Sequence, residues 1–169
     1  MILLDTNIVI DAHYGTGVDR SHARNLISSA VVGDGAAINS ITLAELYAGP
    51  ERGQSIEEDM NRSGIAILDL PLRAAAICGR AYRRYRLARR KSGGGAAPTI
   101  PLPDFFIAAH AELMGWSLAT RDTERYQRYF PNVKLIEPRI GARSEEQRAR
   151  SRGRRAKGRT TRLQDNGTH

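Results

Sequence analysis

Four acidic side chains, Asp5, Glu45, Asp104 and Asp122, stand just after an apolar run or at the start of a helical pattern. Each has a local explanation. Asp5 suits a turn, and Glu45 follows Thr42 by three residues, the spacing of a capping box. Asp104 sits behind Pro103 in a first helical turn, where the helix dipole favours an acid, and Asp122 can cap the helix after it. Taken together they point further, because strands alternating with helices bring all four to one edge of a sheet. Carboxylates gathered within a few ångströms repel one another unless a cation lies between them. Oxygen donors without clustered His or Cys select Mg²⁺ or Mn²⁺ over zinc.

Asn7, Ser40 and Thr120 fall at strand ends beside these acids and are expected to orient a carboxylate or a bound water. Thr6 and Thr42 are assigned ordinary turn chemistry. His13, His22 and His110 share no ligand spacing. His110 lies six residues beyond Asp104 and so faces away from it on a helix, in packing or on the surface.

The elements that must carry these residues are legible from periodicity. Met1 to Leu4 is a fully buried strand, leading into a short helix to Ala12, and residues 13–19, with two glycines, read as a loop. Apolar residues at Ala23, Leu26, Ile27, Ala30 and Val31 predict a helix over 20–32. A second strand spans 36–40, and a helix over 42–48 ends at Gly49-Pro50. A polar amphipathic stretch, 55–62, precedes a third strand at 65–68. The longest helix starts at Pro71 and reaches Lys91, followed by a flexible Gly/Ala-rich segment, 92–97. A helix over 104–114 is stopped by Gly115, with a strand at 116–119, a helix over 122–130 and a last strand at 133–136. Such alternation predicts an α/β fold, a parallel sheet covered on both faces.

The 169 residues allow one domain, 1–138, with an appendage. Residues 139–169 hold ten Arg and Lys against three acids, so +7 of the formal +8 belongs to this tail and the body is near neutral. Its low apolar content predicts disorder, as a solvated tail or a nonspecific phosphate-binding arm. Cys78, the one cysteine, lies among alanines and reads as core filler; no internal disulfide can form. Nothing approaches the roughly 18 apolar residues of a membrane span, and an acid at position 5 argues against a signal peptide, so a soluble cytoplasmic protein is expected.

Four stretches together resemble the PIN-domain family, and within it the VapC-type toxins of toxin–antitoxin pairs: Leu4-Asp5-Thr6-Asn7, Ser40-Ile41-Thr42-Leu43-Ala44-Glu45-Leu46, Pro103-Asp104-Phe105-Phe106-Ile107-Ala108-Ala109-His110-Ala111 and Leu118-Ala119-Thr120-Arg121-Asp122. The resemblance, over about residues 1–138, implies a three-layer α/β/α sandwich with a mostly parallel central sheet. It implies a Mg²⁺- or Mn²⁺-dependent endoribonuclease, the toxin of a type II pair, cleaving RNA phosphodiesters through metal-activated water. Asp5, Glu45, Asp104 and Asp122 would be its catalytic and metal-binding acids, with Asn7, Thr120 and Ser40 in support. It also implies a cognate VapB-like antitoxin and a homodimer. Many relatives carry a further acid three residues after the position of Asp122; here that position is Arg125, with Glu124 just before it.

Substrate grip would come from cations. The 73–91 helix offers Arg80, Arg83, Arg84, Arg86, Arg90 and Lys91 with Tyr82 and Tyr85 between them, and Arg121 follows Thr120. Aromatics beside Arg can stack unpaired bases; the competing reading is a solvated helix face. A haloacid-dehalogenase-like phosphohydrolase would need a second Asp at position 7, where this chain has Asn7. The alternative from another class is a non-catalytic nucleic-acid-binding protein using its basic helix and tail. A regulatory variant has the chain on promoter DNA together with its antitoxin.

Overall fold

A computed structural model describes residues 1–49, 55–93 and 98–138. The predicted breaker Pro50, residues 94–97 of the Gly/Ala-rich segment and the tail after 138 lie outside the described residues. The elements run β1 (Ile2–Leu4), α1 (Thr6–Tyr14), α2 (Gly17–Val32), β2 (Ala36–Asn39), α3 (Ser40–Tyr47), α4 (Ile56–Arg62), β3 (Ile65–Leu68), α5 (Ala74–Lys91), α6 (Pro103–Met114), β4 (Ser117–Ala119), α7 (Thr123–Tyr129) and β5 (Leu135–Ile136).

The five strands form one sheet in the order β3-β2-β1-β4-β5, and every pairing is parallel. Strand alternation divides the core. Leu3, Ala37 and Leu118 point to the side covered by α5, α6 and α7, where Cys78, Ala81, Phe105, Ala108 and Tyr126 are buried. Ile2, Leu4, Ala36, Ile38 and Ala119 point the other way, onto Ile8, Val9, Ala23, Ile27 and Met60 of α1, α2 and α4. The result is the predicted three-layer α/β/α sandwich. β1 is buried along its whole length because it is the central strand. Cys78 is fully buried, in keeping with core packing.

Several boundaries differ from the sequence reading. The expected loop at 13–19 shrinks to Gly15 and Thr16, because the Gly15 N–H closes α1 onto the Ile10 and Asp11 carbonyls. Arg24 Nε then ties α2 to α1 through the Ala12 carbonyl at 2.8 Å. The second strand stops at Asn39, so Ser40 opens a helix instead of ending a strand. β5 begins only at Leu135, since Val133 turns back onto the Phe130 carbonyl at 3.0 Å. Gly115 takes the left-handed conformation (φ 64°) that lets α6 end and the chain enter β4. Among the described residues no helix is long and apolar enough to cross a membrane.

Candidate metal centre

Strand order places the site. β1 leads by one crossover to β2 and then β3, whereas β4 pairs on the other side of β1, so the connections part between β1 and β4 at their carboxyl ends. Ligands of open α/β sheets bind at such a switch point. Asp5 follows β1, Thr120 and Asp122 follow β4, Glu45 rides on α3 behind β2, and Asp104 stands in the first turn of α6. Asp5, Glu45 and Asp104 line one groove of about 490 Å³ with Thr6, Asn7, Ile10, Ala48 and Arg121.

Asp5 caps α1, accepting the Thr6 N–H on Oδ1 at 2.8 Å. Its other oxygen, Oδ2, accepts from Asn7 Nδ2 at 2.6 Å, Thr120 Oγ1 at 2.6 Å and Tyr126 Oη at 3.3 Å. With about two lone-pair sites per oxygen, Oδ2 is fully engaged and Oδ1 is the atom left for a ligand. Thr120 is completely buried. Its hydroxyl donates to Asp5 and accepts from Asn7 Nδ2 at 3.3 Å and from the Asp122 N–H at 3.1 Å. Asn7 Oδ1 in turn accepts the Arg121 N–H at 3.2 Å, which fixes the orientation of its amide. Asn7 and Thr120 thus meet the first acid directly. Tyr126 is a partner the sequence reading missed; it belongs to an aromatic run whose contacts sequence spacing cannot specify.

Glu45 Oε2 accepts a hydrogen bond from the Thr6 hydroxyl. The capping-box reading of Thr42 and Glu45 does not hold. α3 begins at Ser40, and its cap is Asn39, whose Oδ1 accepts the N–H groups of Ile41 and Thr42, both at 3.1 Å. Freed from capping, Thr42 is buried and its hydroxyl turns to the Leu4 carbonyl at 3.5 Å, while Glu45 turns toward Asp5 and Asp104. Thr6, taken for turn chemistry, instead holds an acid of the site. Ser40 is exposed at the first position of α3, and the buried polar group beside the site is its neighbour Asn39.

Burial pushes the Asp5 carboxyl above its ordinary range, and the charge of Asp104 adds to this against the opposing hydrogen bonds. Glu45 is raised by burial first, then by Asp104 and Asp5, while its bond from Thr6 pulls the other way. Glu45 therefore feels both Asp104 and Asp5, and Asp5 feels Asp104. Asp104 and Asp122 are joined through Arg125, whose Nη1 meets Asp104 and whose Nη2 lies 3.3 Å from Asp122. Asp122 stands at the N-cap position of α7 but makes no side-chain capping bond.

No three Asp, Glu, His or Cys side chains among the described residues stand ready as they are to hold one ion. Thr6 restrains Glu45, and Arg125 restrains Asp104. The donor set nevertheless fits a hard divalent cation, because three carboxylates face one groove and two of them are raised by burial and then by neighbouring negative charge.

The expected RNA contacts separate. Arg121 lines the acidic groove, its Nε paired with the nearly buried Asp11 at 3.1 Å. Arg80 is exposed on α5, and Arg83 lines a different cavity with Arg86 and Arg90. Arg84 donates to the Tyr129 carbonyl at 2.6 Å and fastens α5 to α7. Tyr82 is buried in the core and Tyr85 packs half-buried against Phe105 at its edge, so both rings serve core packing. His110 is buried against Trp116, as the packing reading held.

The PIN domain family profile matches residues 2–131. The chain belongs to the PIN-domain family. This PIN domain is 30% identical over 140 residues to the plasmid stability protein StbB of Pseudomonas syringae pv. tomato, covering 79% of the present chain and 96% of that one. It is also similar to the VapBC2 structure from Rickettsia felis bound to a promoter DNA fragment, with TM-score 0.55, 26% identity and coverage of 81% and 98%. A toxin–antitoxin complex from Klebsiella pneumoniae gives TM-score 0.52 at 25% identity, covering 82% and 98%. The PIN domain is VapC-like in fold.

Proposed function

We propose that the chain is a metal-dependent endoribonuclease, the toxin of a type II toxin–antitoxin pair, acting in the cytoplasm and restrained by a VapB-like antitoxin. The observation that carries the nuclease reading is the convergence of Asp5, Glu45 and Asp104 on one groove. The toxin role and the antitoxin partner rest on likeness to the VapBC and toxin–antitoxin structures, while RNA as substrate and a homodimer are what the resemblance of the four motifs to VapC-type toxins implies.

Asp5, Glu45 and Asp104 would hold Mg²⁺ or Mn²⁺, with Asp122 closing the set directly or through water. Such an ion acidifies water and offsets charge on a phosphoryl oxygen. The chain's own residues prepare that chemistry. Asn7, Thr120 and Tyr126 keep Asp5 Oδ2 turned inward, which presents Oδ1. Thr6 holds Glu45 at the groove through its Oε2. The Asp11 ion pair aligns Arg121 at the rim, where its remaining N–H donors can meet a phosphodiester.

The test is cleavage of RNA by the purified chain with Mg²⁺ or Mn²⁺ and with EDTA. Ion-dependent cleavage, abolished in Asp104→Asn with the circular dichroism spectrum unchanged, supports the proposal. Nucleic-acid binding without cleavage under any ion would favour the non-catalytic alternative.

A further inference from the structure

We infer that Arg125 is a built-in counter-cation that limits the centre to a single divalent ion and competes with that ion for Asp104. This deepens the metal-centre reading and rests on it. The four acids divide into two halves with different partners. Asp5 and Glu45 are held by neutral groups: hydroxyls, an amide and a backbone N–H. Asp104 and Asp122 share one guanidinium, with a nitrogen on each carboxylate. That guanidinium already supplies the positive charge which a second ion between Asp104 and Asp122 would bring.

Arg125 cannot drift far from the site. Its neighbour Tyr126 is buried with its hydroxyl on Asp5, which anchors α7 at this residue. A second ion would have to displace the guanidinium and then lie beside it, cation against cation. One ion between Asp5, Glu45 and Asp104 needs only Asp104 to turn away, and Arg125 keeps Asp122. The adjacent Glu124 is exposed on the first turn of α7 and has no part in this exchange.

The experiment is a titration of the metal-stripped full chain with Mn²⁺, followed by the electron paramagnetic resonance of the free ion, with circular dichroism to confirm folding. The wild-type chain is expected to bind one Mn²⁺. Arg125→Gln should bind the first ion about 5- to 10-fold more tightly, because a nearby positive charge is removed, and admit a second at higher concentration. Arg125→Glu should bind two, and Glu124→Gln should match wild type. Two ions on the wild-type chain, with binding lost in Asp104→Asn, would overturn the role of Arg125 and leave the metal centre standing; so would unchanged or weaker binding by Arg125→Gln. No Mn²⁺ on any variant would overturn both.

Discussion

The two oxygens of Asp5 have unequal tasks, one saturated by three side-chain donors and one holding a single backbone bond. Its donors are correspondingly unequal. Thr120→Val should destabilise the protein by about 2 to 3 kcal/mol in urea unfolding, because it strips a buried carboxylate of a short bond and orphans the Asp122 N–H. Tyr126→Phe should cost about 1 kcal/mol, since its 3.3 Å bond is the weakest of the set and the ring packing survives. Equal losses in the two variants would contradict this ranking. Thr6→Ala should lower ion-dependent cleavage on the order of 10-fold while Thr6→Ser restores it, the range typical of groups that orient ligands. The meeting of Asp5, Glu45 and Asp104 in one groove was legible in the sequence because alternating strands and helices bring strand ends and helix starts to one sheet edge. Thr6 and Tyr126 were not, because Thr6 meets Glu45 and Tyr126 meets Asp5 only once strand order has brought distant segments together.

At the scale of elements, α3 matters most, since its start sets where Glu45 points. Asn39 is completely buried; its carbonyl caps the helix, so its amide nitrogen faces His110 Nδ1 at 3.4 Å. That contact requires an unprotonated Nδ1, and burial holds the imidazole pKa below its usual value. The folded state therefore favours neutral His110, a stability contribution present above about pH 6.5 and lost as pH falls below it toward the folded pKa. Thermal melts between pH 7 and pH 5 should show this loss, and His110→Gln should flatten it; an identical slope in the variant would refute the assignment. Asn39→Ala should cost about 1 to 2 kcal/mol through the lost cap. Strands, helices and their alternation were readable from periodicity because each buries a regular face. The start of α3 was not, since Asn39, Ser40 and Thr42 are all plausible caps and only the folded backbone, extended at Asn39 and helical from Ser40, distinguishes them.

For the molecule as a whole, the acids that serve the site weaken the fold without a cation. Asp5 and Glu45 have folded pKa values above their ordinary ones, chiefly from burial. The folded chain therefore holds protons where the unfolded chain has released them, and this contribution is lost as pH rises through the folded pKa values. As pH rises through those values Asp5 and Glu45 gain charge that burial and the neighbouring carboxylates oppose, and a cation would offset it. Mg²⁺ or Mn²⁺ should accordingly raise the melting temperature at pH 7.5 and raise it much less at pH 4.5, and Glu45→Gln should reduce the difference. An ion effect independent of pH would point to binding elsewhere. The parallel sheet carries all of this, because its strands end together and α3, α6 and α7 start near those ends. The most direct measurement is anomalous scattering from crystals soaked in Mn²⁺. One peak about 2.1 Å from carboxylate oxygens of Asp5 and Asp104 is the predicted result, and a peak that touches neither residue would contradict it.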